Sequence, residues 1–168
     1  IALRATFLMS CNNLKTVIVV PTTLLAKQHF NTFKERFNQI TDIQLLIRNA
    51  SKKNKAEILE KFKSDTSNVL ICTHSIFSLN LEGYELGLIV VDEEQHFGVL
   101  QKEKIKKIKA NTHLLTLSAT PIPRTLHMSL IGVRDLSLIT TPPVNRQDIK
   151  TTVCRFENNI IRKAISDE

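Results

Sequence analysis

Cysteine is scarce in this 168-residue chain, and its three copies, Cys11, Cys72 and Cys154, lie far apart. An odd count without CxxC spacing excludes both a disulfide framework and a cysteine-based zinc site, and it fits a reducing, cytoplasmic setting. Glycine is scarce too. None of the four glycines is followed by Lys-Thr or Lys-Ser, so the sequence contains no GxxxxGK[ST] loop of the kind that cradles phosphates. No apolar run approaches the roughly 20 residues of a membrane-spanning helix. The opening Ile1-Ala2-Leu3-Arg4 lacks the basic-then-apolar layout of a secretory signal. The first residue is not Met and the pattern starts mid-helix, so the expectation is a segment of a longer protein.

What is present reads as one α/β domain with an ordinary core. Hydrophobic residues make up 42% and charged residues 23%, a globular rather than a disordered balance. The net charge of +7 favours an acidic partner such as nucleic acid. Much of it lies in Lys102, Lys104, Lys106, Lys107 and Lys109. With Ile105 and Ile108 between them, this stretch also reads simply as a solvated helix face.

Strand-like and helix-like segments alternate along the chain. Residues 1–9 read as a helix, Val17–Val20 as a strand, and the next stretch as a helix with Ala26, Phe30, Phe33 and Phe37 on one stripe. Ile43–Ile47 is a strand, and Ser51 caps a helix running to about Lys63 with Ile58, Leu59 and Phe62 inward. Val69–Cys72 and Leu88–Val91 are strands, 102–109 a basic helix, and Leu114–Leu117 a strand. Pro123 and Gly132 bracket a further helix, and Leu136–Ile139 closes the block as a strand. Such alternation implies a parallel sheet with helices on both faces. Pro142-Pro143 then favours a stiff connector, followed by a short strand at Ile149–Cys154 and a helix from Asn158.

Leu88-Ile89-Val90-Val91 runs straight into Asp92-Glu93-Glu94-Gln95. A strand buried on both faces of a parallel sheet delivers its acids to the edge where ligands bind in open α/β folds. Several carboxylates gathered there need an offset to their mutual repulsion, and magnesium bound to a nucleoside triphosphate supplies it. In this Walker-B reading Asp92 holds the metal and Glu93 positions or deprotonates the attacking water. A strand followed by a solvated acidic loop is the plain alternative. Pro21-Thr22-Thr23, at another strand end, offers hydroxyls and free N–H groups to a phosphate, or merely caps a helix. Thr73-His74-Ser75 repeats the arrangement. Ser118-Ala119-Thr120-Pro121 is small and hydroxyl-bearing, with Arg124 a turn later in reach of an anion. All these strand ends fall on one edge of one sheet, which suits a nucleotide and a nucleic acid together.

Taken together, Val20-Pro21-Thr22-Thr23-Leu24-Leu25-Ala26 with Gln28-His29, Asp92-Glu93-Glu94-Gln95 with Phe97-Gly98-Val99, and Ser118-Ala119-Thr120-Pro121-Ile122-Pro123-Arg124-Thr125-Leu126 resemble a superfamily two DNA translocase. The resemblance is to the group holding the bacterial transcription-repair coupling factors and the RecG branch-migration helicases. Gly132-Val133-Arg134-Asp135-Leu136-Ser137, with Thr140-Thr141-Pro142-Pro143, is more like the coupling factors. The long Ser-Ala-Thr-Pro-Ile-Pro-Arg-Thr string is specific to this group; a bare Asp-Glu pair is not.

The resemblance implies an α/β RecA-like lobe of the P-loop NTPase class, residues 1–141, truncated at its N-terminus and lacking the Walker-A strand and loop. A linker at 142–148 and the beginning of a second lobe at 149–168 would follow. It implies ATP and Mg2+ as cofactors of the full-length protein, with Asp92 holding the metal through water and Glu93 as catalytic base. Gln95, Ser118, Ala119, Thr120 and Arg124 would couple nucleotide state to DNA grip. Pro21, Thr22, Thr23, Arg48, Ser51, Thr73 and His74 would contact DNA. Double-stranded DNA is the implied partner, with RNA polymerase and nucleotide-excision-repair proteins engaged through regions outside this chain and no membrane involved. The implied protein is a cytoplasmic ATP hydrolase that displaces stalled RNA polymerase, with this segment inactive by itself. Two positions depart from the family pattern: His96 stands where Arg is usual, and Cys72 where Gly is usual. Other readings are a RecG-like lobe, a nucleic-acid-binding segment without catalysis, and an unrelated α/β hydrolase using Asp92 and Glu93 as an acid–base pair.

Overall fold

In the computed structural model the described residues are 1–37, 40–48, 50–64, 67–78, 81, 83–108, 112–119, 135–141, 151 and 153–166. Among these residues five strands carry the fold: β1 (Lys15–Val20), β2 (Asp42–Leu46), β3 (Ser67–Thr73), β4 (Leu86–Val91) and β5 (His113–Thr116). Among the described residues five helices accompany them: α1 (Ala2–Cys11), α2 (Thr23–Phe37), α3 (Lys52–Lys63), α4 (Val99–Ile108) and α5 (Asn158–Ser166). A short 3-10 helix at His74–Ser78 follows β3 directly, and another at Glu94–His96 follows β4 after Asp92 and Glu93.

The sheet order is β2-β3-β1-β4-β5, and every pairing is parallel. Central strands of such a sheet are covered on both faces, so they need apolar side chains at every position rather than at alternate ones. β1 and β4 are buried throughout and meet that demand except at Lys15 and Thr16, the polar start of β1. Their side chains still alternate between two cores. Ile18, Val20, Val69, Ile71, Leu88 and Val90 pack with Ala26, Phe33 and Phe37 of α2 and Ala2 of α1. Val17, Val19, Leu70, Cys72, Ile89 and Val91 pack with Phe62 of α3 and Ile105 of α4. Helices therefore cover both faces.

Local signals set the element ends. Ser51 accepts the Asn54 N–H at 3.2 Å and so caps α3. Thr22 accepts the Leu25 N–H at 3.2 Å at the start of α2. Gly87 is required by close approach: a Cβ there would lie 2.7 Å from Leu14 Cβ and 2.8 Å from Met9 Sδ. This lets α1 and the turn after it settle against β4.

Two expected strands differ. Residues 135–140 form no strand, and Leu136, Leu138 and Ile139 are exposed. The alternation of large apolar residues there looks like a strand, but a strand also needs a neighbour to pair its backbone, and the described sheet ends at β5. In the expected strand Ile149–Cys154, residues 151, 153 and 154 carry no strand structure and are exposed. The helix expected between Pro123 and Gly132 and the linker 142–148 lie outside the described residues.

Candidate functional site

Parallel register brings the strand ends together. Val20 stands beside Thr73, Val19 beside Val91, and Val91 beside Thr116. The turns after β1, β3, β4 and β5 therefore share one edge of the sheet, as the sequence pattern requires. The Asp92 N–H donates to Val19 O at 3.0 Å and the Leu117 N–H to Val91 O at 2.8 Å, which extends the ladder into the acidic turn. The Glu94 N–H then donates to Leu117 O at 3.2 Å.

Glu93 has φ 54° and ψ 48°, the left-handed conformation. Only glycine adopts it without steric cost, and a non-glycine residue held there marks a site where surrounding bonds override local preference. Here the bonds are the Glu93 N–H to Asp92 Oδ1 at 3.0 Å and the His96 N–H to Glu93 O at 2.9 Å. The turn aims the two carboxylates away from the core: Asp92 and Glu93 are half-buried, whereas Glu94 is buried, with Lys102 Nζ 3.9 Å from its Oε1.

The Asp92 carboxylate is held at both oxygens. Oδ1 takes the Glu93 N–H, and Oδ2 lies 2.8 Å from Nε2 of His29 on α2. An ionised carboxylate only accepts, so Nε2 carries the hydrogen. That bond, the charge of the ring when protonated, and the Glu93 N–H hold the Asp92 carboxyl below the usual carboxylate range, against the opposing effect of partial burial. Asp92 is thus an anion at neutral pH.

Glu93 accepts a hydrogen bond from Gln95 Nε2. Gln95 Oε1 in turn accepts from Ser118 Oγ at 2.9 Å. The acidic turn is therefore wired through Gln95 to the turn after β5. Ala119 is exposed beside it; Thr120 and Arg124 lie outside the described residues.

The expected DNA-contacting positions are spread along the same edge. Thr22, Thr23, Arg48, Ser51 and His74 are exposed and Pro21 is half-buried, but Thr73 is buried, closing β3. The hydroxyls of Thr22 and Ser51 serve as helix caps. His29 is the residue that sequence reasoning left without a role. A titratable side chain three residues after Ala26 and four before Phe33, on an otherwise apolar stripe, was the available signal.

Among the described residues no group of three or more His, Cys, Asp or Glu side chains could hold a metal ion. Magnesium does not require one: it is commonly held by one or two carboxylates together with waters and phosphate oxygens. An ionised, half-buried Asp92 with spare lone pairs at a sheet edge fits that role.

The DEAD/DEAH box helicase family matches residues 1–129. The chain belongs to this family. It is 47% identical over its whole length to the transcription-repair-coupling factor of Bacillus subtilis. It is 51% identical over its whole length to that of Buchnera aphidicola subsp. Baizongia pistaciae. The chain spans only 14% and 24% of those two relatives. A solved structure of RecG bound to a three-way DNA junction superposes with a TM-score of 0.62 at 28% identity, over 81% of this chain and 18% of that one. The fold is RecA-like, as the motifs imply. No described helix is long and apolar enough to cross a membrane.

Proposed function

We propose that this chain is the central part of the first motor lobe of an ATP-driven translocase on double-stranded DNA, one that couples transcription to repair by displacing stalled RNA polymerase. The observation that carries the reading is the acidic turn after β4: two carboxylates at the ligand edge of a parallel sheet, one of them in a left-handed backbone, tied through Gln95 to Ser118. Membership of a helicase family supports the same chemistry, and near-50% identity to coupling factors supports the coupling role over a RecG-like one.

When bound, Mg2+ neutralises charge on the phosphates of ATP. Asp92 would hold that ion through water. Glu93 orients and deprotonates the attacking water once the Gln95 amide gives up its carboxylate. Gln95 and Ser118 report the state of Glu93 to the turn after β5, with Ala119, Thr120 and Arg124 continuing that turn. Pro21, Thr22, Thr23, Arg48, Ser51 and His74 line the same edge and meet the DNA backbone; Thr73, being buried, contributes through the main chain. Residues 149–168 open the second lobe. The amphipathic α5, whose Ile160, Ile161 and Ile165 are exposed, supports this assignment.

The chain carries no GxxxxGK[ST] loop to cradle the phosphates, so by itself it turns over ATP negligibly. The test uses the full-length cytoplasmic protein. ATP-dependent displacement of a triplex-forming strand from linear duplex DNA, and release of a stalled transcription complex, are expected. Displacement without ATP, or ATP-driven activity confined to branched junctions, would overturn the coupling reading, the second result in favour of a RecG-like remodeller.

A further inference from the structure

We propose that His29 is a positioning residue for Asp92, a protein-side strut that presents the metal-holding carboxylate in one fixed orientation. The inference rests on the reading of Asp92 as the carboxylate that receives magnesium. It adds a residue from a different element, α2, to a site otherwise built from strand ends.

The geometry is specific. An aspartate side chain has two torsions, and one hydrogen bond leaves it free to swing about the bonded oxygen. Here each oxygen is engaged from a different direction. Oδ1 takes the Glu93 N–H at 3.0 Å from within the turn, and Oδ2 takes His29 Nε2 at 2.8 Å from across the edge. The strut is itself anchored. The His29 ring lies tilted against Phe33 with centroids 6.3 Å apart, and Phe33 stacks on Phe37 at 5.7 Å. Phe33 and Phe37 are both in the core. The imidazole therefore has a packed apolar floor on one side and the carboxylate at its tip.

Orientation, rather than obstruction, follows from counting acceptor sites. An ionised carboxylate offers about four lone-pair positions, and the two bonds described here use two of them. The side chain keeps 21% of its exposure, which leaves room for metal-bound water. Partners that fix a metal-binding carboxylate typically carry about 10–100-fold in metal affinity. If His29 instead occupied the metal's place, removing it would tighten metal binding, so the sign of the effect separates the two.

The experiment measures binding, not turnover. In the full-length protein, fluorescent ADP is bound at a series of Mg2+ concentrations in wild type, His29→Phe, His29→Gln and Asp92→Asn. Phe keeps a ring on Phe33 and loses the donor; Gln keeps a donor at the Nε position. His29→Phe should raise the half-saturating Mg2+ concentration about 10–100-fold, with His29→Gln within about threefold of wild type. Nucleotide affinity without Mg2+ should stay the same in wild type and the two His29 variants, which also reports that each is folded. A His29→Phe protein that needs no more Mg2+ than wild type, or less, overturns the inference. If Asp92→Asn also leaves the Mg2+ dependence unchanged, the fault lies with the metal-holding role of Asp92. If Asp92→Asn abolishes that dependence while His29→Phe does not, the fault lies with the strut alone.

Discussion

Replacing Glu93 by glycine and, separately, by alanine should invert the usual order of stability. Holding a non-glycine residue at φ 54°, ψ 48° costs roughly 1–2 kcal/mol. Both substitutions remove the carboxylate and its bond to Gln95 equally, so the difference between them isolates the backbone. Alanine keeps the left-handed strain. Glycine relieves it but gives back about 0.4–1 kcal/mol through the greater freedom of its unfolded chain. The glycine variant should therefore be the more stable by about 0.5–1 kcal/mol, whereas in a regular helix or strand alanine wins by a similar margin. With a urea dependence of roughly 1–3 kcal/mol per molar, the unfolding midpoints should differ by a few tenths of a molar. The chain has no tryptophan and one tyrosine, so far-ultraviolet circular dichroism is the practical probe. An alanine variant as stable as the glycine variant, or more so, would refute the claim that the turn stores strain at the candidate base.

Gly87→Ala forces a Cβ to within 2.7 Å of Leu14 Cβ, an atom next to the backbone that cannot swing aside; urea unfolding should show a loss of about 1–3 kcal/mol. Burial pushes the Cys72 thiol pKa up. Below the ordinary thiol value the buried neutral form contributes its full stability, and that contribution fades as pH rises above it. Stability should therefore fall on the alkaline side, and a thiol reagent at neutral pH should label the exposed Cys11 and Cys154 but reach Cys72 only on unfolding. Ser118→Ala removes the hydroxyl that donates to Gln95; in the full-length protein, DNA-stimulated hydrolysis should fall more than nucleotide affinity does, and equal loss of both would argue against a coupling role.

The strands were legible because burial on both faces writes itself as unbroken apolar sequence: Val17–Val20 and Leu88–Val91 are such runs, each beginning two residues after the start of its strand. α2 was legible through the stripe of Ala26, Phe33 and Phe37, and α3 through the Ser51 cap. Leu136–Ile139 misled because alternation reports what a strand would look like, not whether a partner stands beside it. The one-turn helices at His74–Ser78 and Glu94–His96 carry no periodicity long enough to read. At the site, residue types and strand ends placed Asp92, Glu93, Gln95 and Ser118 on one edge. Two features were hidden. Nothing in the identity of a glutamate reveals a left-handed backbone. The partner of Asp92 is His29, 63 positions earlier in the chain, and no local pattern records a contact across that distance.

The central claim, that the carboxylates after β4 carry out nucleotide hydrolysis, is tested most directly by Glu93→Gln in the full-length protein with duplex DNA present. The substitution keeps shape and hydrogen bonding but cannot take a proton, so phosphate release should fall by about 10²–10⁴-fold while Mg2+-dependent nucleotide binding persists. Turnover within a few-fold of wild type would contradict the account.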